Sequence, residues 1–437
     1  MKRRFPLPLL AALLTACTPP PAPDSLPVME RISEGYVRLI LAIGQHDEHY
    51  VDAYYGPEEW KPGDGDGAPS LAELEARGQE LLKALEGAPR SPQEEEILRL
   101  RHTYLRRQLE AALARIEMLR GASMTFDEES RALYDAVAPT HDGASFLELQ
   151  AELDRLLPGD GSLIERLDAF RREFTIPPER LDSVFTAAID ECRRRTREYL
   201  ELPEGESFRV EYVTGQPWSA YNWYQGQSRS LIQVNTDLPV FIDRAIDLAC
   251  HEGYPGHHVY NALLEKHLVR ERGWWEFSVY PLFSPQSLIA EGTANFGIRV
   301  AFPGDERLEF ERDILFPLAG IDPAKAETYY QALEVLRGLR YAGNEAARAY
   351  LDGAMDGEEA ARWLARYALS PQERAEQRVR FFDRYRSYVI NYNLGEDLVA
   401  AYVEAAGGGE ADRDRRWQVF GELLSTPRLP SGLALEP

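Results

Sequence analysis

Apolar residues recur every three or four positions through most of the first two hundred residues, the mark of amphipathic helices. Tyr36, Leu39, Ile40 and Ile43 form one stripe, and Leu71, Leu74, Leu81, Leu82 and Leu85 form a second. A third runs from 98 to 118, with Arg and Glu interleaved on its polar faces. Breaks fall at 61–67, 87–92 and 158–161, where Gly, Pro and Asp gather. Strict alternation appears only after Pro203, in segments 208–213 and 230–235, with Trp218, Tyr221, Trp223 and Tyr224 between them. Helical patterning then resumes to about residue 425. These patterns predict a mainly α, multi-helical protein with a small β-sheet or hairpin.

One later helix bears on chemistry. Asp237-Leu238-Pro239 reads as its start, with Asp as cap and Pro in the first turn. Ile242, Ala245, Ile246 and Ala249 give an i, i+3, i+4, i+7 stripe. At about 100° per residue, His251 falls on the opposite face and Glu252 one step further round. Such a helix is held by one side and offers a histidine from the other. A zinc helix ordinarily carries two histidines at i and i+4, with a glutamate general base between them. Here position i+4 is Pro255, which neither binds a metal nor continues the helical hydrogen bonding. His257 and His258 would lie roughly 9 to 10 Å further along an unbroken helix, too far to share an ion held at about 2 Å. The chain must therefore distort at Tyr254-Pro255-Gly256 if either is to return beside His251. Asp247, four residues before His251 on the same face, either accepts a hydrogen bond from the free nitrogen of that ligand or pairs with Arg244.

Composition narrows the class. Of 437 residues, 44% are hydrophobic and 28% charged, enough for a sizeable core. The net charge of −23 argues against nucleic acid as a partner, because no basic stripe is present to neutralise phosphates. At the start, Met1-Lys2-Arg3-Arg4 precedes an apolar run at 7–14 that is too short to span a bilayer and reads as an export signal. The following Leu14-Thr15-Ala16-Cys17 resembles the bacterial lipobox, which makes Cys17 a lipid anchor and the Pro-rich segment after it a stalk. The expected organisation is a lipoprotein signal peptide at 1–16, a flexible stalk at 17–30, an N-terminal helical region at 31–200 and a catalytic region at 201–437. Export permits a disulfide between Cys192 and Cys250, although Cys250, inside an apolar helical run, reads rather as a buried thiol.

His251 to His258, with Tyr260, resembles the HE-x-YPGHH signature of the bacterial family labelled domain of unknown function 885, itself similar to gluzincin-type metallopeptidases. Residues 50–57, Ala290-Glu291-Gly292 and Tyr392-Asn393-Leu394-Gly395 also look like that family, so the resemblance spans nearly the whole mature chain. It implies a zincin-like fold with the small sheet beside the active-site helix, and a Zn2+ cofactor. The HE-F-G-H motif of thimet-oligopeptidase and carboxypeptidase Taq families is similar if two residues are inserted before Gly256-His257, which favours His257 over His258 as second ligand. The third gluzincin ligand is a downstream glutamate. Glu291 fits, two turns into a helix opened by Ser284-Pro285, and the adjacent Gly292 would let a backbone or substrate approach closely. The late Tyr-rich segment resembles one that stabilises an oxyanion in thimet-oligopeptidase-like enzymes, implying that role for Tyr392, with Tyr388 in reserve.

The expected reaction is peptide hydrolysis in the cell envelope. Zinc lowers the pKa of water toward ~7, and Glu252 takes its proton and passes it to the leaving amine. Tyr221 and Tyr224, with Trp218, Trp223 and Trp274-Trp275, are candidates to line the cleft, and Arg340 is available for a terminal carboxylate. Strand 230–235 is a candidate edge for an extended peptide. His258 is expected to support the ligands. His46, Asp47 and His49 read as an ordinary polar helix end. Two rivals stand beside the peptidase: a zinc hydrolase of another amide or ester bond, and a catalytically silent binding lipoprotein.

Overall fold

The amphipathic stripes of the N-terminal half do form helices. In the computed structural model, which describes residues 27–63, 67–88, 95–216 and 218–433, α1 (Val28–Ile43) buries Tyr36, Leu39, Ile40 and Ile43 as one face. β1 (Val51–Tyr54) follows, then α2 (Leu71–Glu86), α3 (Glu96–Leu119), α4 (Phe126–Tyr134), α5 (Gly143–Leu156), α6 (Leu163–Arg172) and α7 (Leu181–Tyr199). Reciprocal capping boxes open three of these helices: Ser70 with Glu73, Thr125 with Glu128, and Ser162 with Glu165. The segment expected as a signal peptide, Cys17 and the expected stalk up to residue 26 lie outside the described residues, and Val28 to Glu30, expected to end that stalk, instead open α1.

The alternating segments become strands β2 (Ser207–Val213) and β4 (Arg229–Asn235), with β3 (Ala220–Tyr224) between them in sequence. In space β4 is central, parallel to β2 and antiparallel to β3. The expectation that segment 230–235 offers an edge is therefore corrected, since both its edges are already paired. The chain continues through α8 (Asp243–Leu248), α9 (His257–Leu264) and β5 (Val279–Pro281), which pairs antiparallel with β1. Then come α10 (Pro285–Ala301), α11 (Glu306–Phe310), α12 (Phe316–Ala319), α13 (Ala326–Gly338), α14 (Tyr341–Leu351) and α15 (Gly357–Tyr367). The last helices are α16 (Gln372–Tyr385), α17 (Ile390–Ala405) and α18 (Arg413–Ser425). The architecture is mainly α with small sheets.

α8 begins later than the Asp237 expected from sequence. Before it, Ile176 N–H donates to the Val240 carbonyl and Ile242 N–H to the Phe174 carbonyl, both at 2.9 Å. This long-range pairing puts Phe241 in an antiparallel bridge with Thr175 and delays the helix, while Asp237 instead accepts from the Gly215 N–H at 2.7 Å.

Two apolar centres meet at the helix pair α10 and α17. One gathers α7, the three-stranded sheet, α8, α9 and α18, and takes Ile289, Phe296, Val399 and Val403 from the pair. The other gathers α1, α3, α4 and α16 and takes Leu288, Ile390 and Leu394. The pair can cross closely because Gly292 faces Gly395. A Cβ on Gly292 would lie 2.4 Å from the Gly395 carbonyl oxygen, so a side chain there is sterically excluded.

Candidate metal centre

The stripe Ile242, Ala245, Ile246 and Ala249 is buried, with at most 3% of any of these residues exposed. It anchors α8, and the chain then widens into a π-helical turn, Ala249–Gly253. Tyr254 N–H donates to the Ala249 carbonyl at 2.9 Å and Gly256 N–H to the Cys250 carbonyl at 2.8 Å. The chain folds back so tightly at Gly256 that a Cβ there would sit 1.9 Å from the His251 carbonyl oxygen. α9 then starts afresh at His257. This is how the sequence accommodates Pro255: the helix ends, loops and restarts, returning His257 beside His251.

The two imidazoles face one another with Nε2 atoms 3.1 Å apart. Oε2 of Glu291, from α10, lies 3.4 Å from the His251 Nε2 and 3.8 Å from the His257 Nε2. Among the described residues this is the one group of three ligand-type side chains so gathered. It fits a metal on two counts. Nitrogens each about 2.0–2.1 Å from one tetrahedral ion would stand roughly 3.3 Å apart. In addition, Glu291 Oε2 is buried without a hydrogen-bond partner, a costly state for a carboxylate oxygen unless a cation meets it.

Neighbouring groups orient the three. His251 Nδ1 lies 3.0 Å from Oδ1 of Asn295, and Asn295 Nδ2 donates to the Tyr392 carbonyl at 2.9 Å. With its amide fixed that way round, Asn295 accepts a hydrogen bond from Nδ1–H, so that Nε2 is the nitrogen turned toward the centre. Asp247 does not occupy this position. Its partners are Arg244 at 3.0 Å and Arg307 at 2.9 Å, the ion-pair alternative. Tyr388 donates its hydroxyl to Glu291 Oε1 at 2.9 Å, while the Tyr392 ring sits 5.7 Å from the Tyr388 ring. His258 points away from the centre into a buried network: Ser230 Oγ lies 2.9 Å from its Nδ1 and Glu206 Oε2 3.0 Å from its Nε2. Glu206 also accepts from Tyr254, Arg193 and Arg197. Burial alone would raise the Glu206 carboxyl, but the bonds from His258, Tyr254 and Arg193 hold it at about 2.

The electrostatics of the centre are those of crowded acids around two imidazoles. Burial lifts Glu252 to about 7, aided by Glu291 and opposed by His251. For His251 burial pulls downward, yet the Glu291 carboxylate 3.4 Å away and the charge of Glu252 carry it up to about 9. His257, pushed down by burial and by the positive charge of the adjacent His251, falls to about 4. A third carboxyl, Asp52 on β1, is lifted to about 7 by its enclosure and by Glu291 and Glu252. Sequence reasoning assigned no role to Asp52 or Asn295. Asn295 does carry a readable signal, one helical turn beyond Glu291 on the same face.

The remaining expected residues lie around this centre or away from it. Tyr221 donates to Asp52, and its ring stands 4.5 Å from Trp223 and 5.7 Å from Trp218. Tyr224 is buried and donates to Glu265. Arg340 pairs with Glu396 at 3.6 Å. Trp274 is core, with Arg101 over its ring, and Trp275 packs edge-on against Trp60. The sheet meets the site through β3, where Asn222 Nδ2 donates to the Glu252 carbonyl at 2.6 Å. Asp47 pairs with Arg115 at 2.5 Å and His46 contacts the Pro69 carbonyl, a polar helix end.

No protein-family model matches the chain, and no curated protein matches it. Solved structures do. A "putative lipoprotein" from Colwellia psychrerythraea is 15% identical, with 86% of this chain and 70% of that one covered and a TM-score of 0.50. An M32 carboxypeptidase from Deinococcus radiodurans R1 is 14% identical, with 92% and 91% covered and a TM-score of 0.48. A "putative lipoprotein of unknown function" from Shewanella oneidensis is 14% identical, with 83% and 72% covered and a TM-score of 0.47. At such identity the likeness to the first is one of fold.

Proposed function

We propose that this protein is a zinc-dependent peptide hydrolase of the bacterial cell envelope, exported and tethered by lipid at Cys17. The observation that carries the reading is the convergence of His251, His257 and an unpartnered Glu291 oxygen within 4.8 Å of one another, with Glu252 next in sequence to the first ligand. A zinc ion held there would supply Lewis acidity and bring the pKa of water toward ~7.

The chain's own residues divide the remaining work. Asn295 holds the His251 tautomer, and Tyr388 holds Glu291 by one oxygen so that the other faces the imidazoles. Glu252, buried and tuned to about 7, accepts the proton of an attacking water and returns it to the departing amine, a role that favours a pKa near neutrality. Tyr392, whose hydroxyl makes no hydrogen bond among the described residues, donates to the developing oxyanion. Trp218, Tyr221 and Trp223 form one wall for the peptide. Tyr224, committed to Glu265, and Arg340, paired with Glu396, act through the scaffold around that wall.

The decisive test is Glu252→Gln. The variant should retain the metal of the parent and lose peptide hydrolysis by about 10²-fold or more. Normal turnover by a metal-loaded variant would overturn the mechanism.

A further inference from the structure

Cys192 on α7 and Cys250 in the π-helical turn bring their sulfurs to 2.7 Å. Nonbonded carbon atoms ordinarily rest roughly 3.5–4.0 Å apart and sulfur is larger than carbon, so the two thiols are already pressed together. Both residues are fully buried in the same apolar cluster. Their surroundings rule out the other uses of a close thiol pair. Neither sulfur belongs to a group of ligand-type side chains able to hold a metal among the described residues. Burial and the neighbouring sulfur push the Cys192 thiol up, the reverse of what a nucleophile needs.

We propose that Cys192 and Cys250 form a disulfide in the mature protein. The proposal rests on the export reading for its oxidant, a disulfide carrier of an oxidising compartment. The thiolate of one cysteine attacks a sulfur of the oxidant disulfide, breaking that bond and releasing one reduced thiol. The second thiolate then attacks the mixed disulfide, forming the protein S–S bond and releasing the other reduced thiol. Two electrons pass from the protein sulfurs to the carrier, and the two protein thiol protons end on the released thiols. Because both sulfurs are buried after folding, the bond forms while α7 docks and is shielded from reductant afterwards.

The cross-link would join residues 58 apart and pin the turn at the residue immediately before His251. Cys250 also accepts the Gly256 N–H through its carbonyl, so the same residue holds both the start and the return of the loop that brings His257 home. Cys250 is thus a positioning residue for the metal centre.

The test is refolding of the full mature chain in a mixed oxidised and reduced glutathione buffer, followed by denaturation, alkylation without reductant and peptide mapping. The expected product is a single linked pair of peptides containing Cys192 and Cys250, lighter by two hydrogens than the reduced pair and split by reductant. Alkylated or glutathione-capped Cys192 and Cys250, or a link from either to Cys17, would overturn the proposal. The linked form should also unfold at lower denaturant once reduced, whereas Cys192→Ala should be indifferent to reductant. An equal response of the variant counts against the bond. Mapping the same peptides from cell-envelope and cytoplasmic fractions reports location separately. Recovery of the protein only from the cytoplasm removes the export reading and leaves the refolding result to judge the pairing.

Discussion

The backbone of Gly292 crosses that of Gly395 with no room for a side chain on either: a Cβ on Gly395 would lie 2.7 Å from the Leu288 carbonyl oxygen, and one on Gly292 would meet Gly395 itself. This crossing sets the distance between the helix that carries Glu291 and the one entered through Tyr388 and Tyr392. Gly292→Ala must therefore push α10 from α17. The expected cost is about 3 kcal/mol, at the upper end for overpacking, with weakened metal binding as well. Denaturant unfolding and a metal competition titration on the same sample check both effects. An unchanged midpoint would show that the crossing is loose.

The hydrogen bond from His251 to Asn295 makes a second expectation. Asn295→Ala should reduce metal affinity by about 10–100-fold, the usual penalty for losing a group that orients a histidine ligand. Asp247→Asn should act differently. Its carboxylate pairs with the half-buried Arg244 and Arg307, and Arg307 keeps Glu311 as a second partner, so the variant should lose about 1 kcal/mol of stability or less while the folded fraction keeps its affinity. If the two variants behave alike, the division of roles drawn from the geometry is wrong.

Metal uptake should depend on pH with a definite sign. In the metal-free protein His251 is carried up to about 9, so it holds a proton on the nitrogens a metal needs through neutral pH. Proton and metal compete for the imidazole. Apparent affinity should therefore rise with pH by up to about tenfold per unit, levelling near pH 9. Binding at pH 7.5 should release about one proton per ion from this residue. Calorimetry in buffers of different ionisation enthalpy measures that release directly, and a value near zero contradicts the assignment.

The network under the turn gives a stability prediction. Glu206 is held at about 2, below its ordinary 4.5. A depressed carboxyl stabilises the fold above its unfolded pKa, and the contribution disappears as pH falls from about 4.5 toward 2. Glu206→Gln, which leaves Arg193 and His258 without their anion, should cost about 3 kcal/mol near pH 7. The gap from wild type should narrow as pH drops below about 4.5. A gap that stays constant down to pH 3 would assign the loss to packing.

Much of the site could be read from local pattern. The stripe Ile242, Ala245, Ile246 and Ala249 placed His251 on the far face, and Ser284-Pro285 marked the start of the helix that carries Glu291. Pro255 showed that the helix must break, since no ring nitrogen at i+4 was available. The form of the break was not legible, because a π-helical turn leaves no mark in apolar periodicity. Nor was the late start of α8, which is set by pairing with Phe174 and Ile176 more than sixty positions upstream. Strand order is tertiary information too, and so 230–235 looked like an edge when it is the centre. Asp52 reached the site only because β1 pairs with β5, a contact between distant parts of the sequence.

Glu276, just before β5, is wholly enclosed, and its countercharge and one of its hydrogen-bond donors come from the first hundred or so residues: Arg101 at 2.5 Å and Ser33 at 2.6 Å. A polypeptide beginning at residue 201 would keep every metal-ligating side chain and yet leave this anion without a partner, at a cost of about 3–5 kcal/mol. β5 would also lack β1, the strand it pairs with among the described residues. The helical half is therefore an obligate part of the foundation of the His251, His257 and Glu291 cluster, and separately produced halves should regain a metal-binding centre only when mixed before folding.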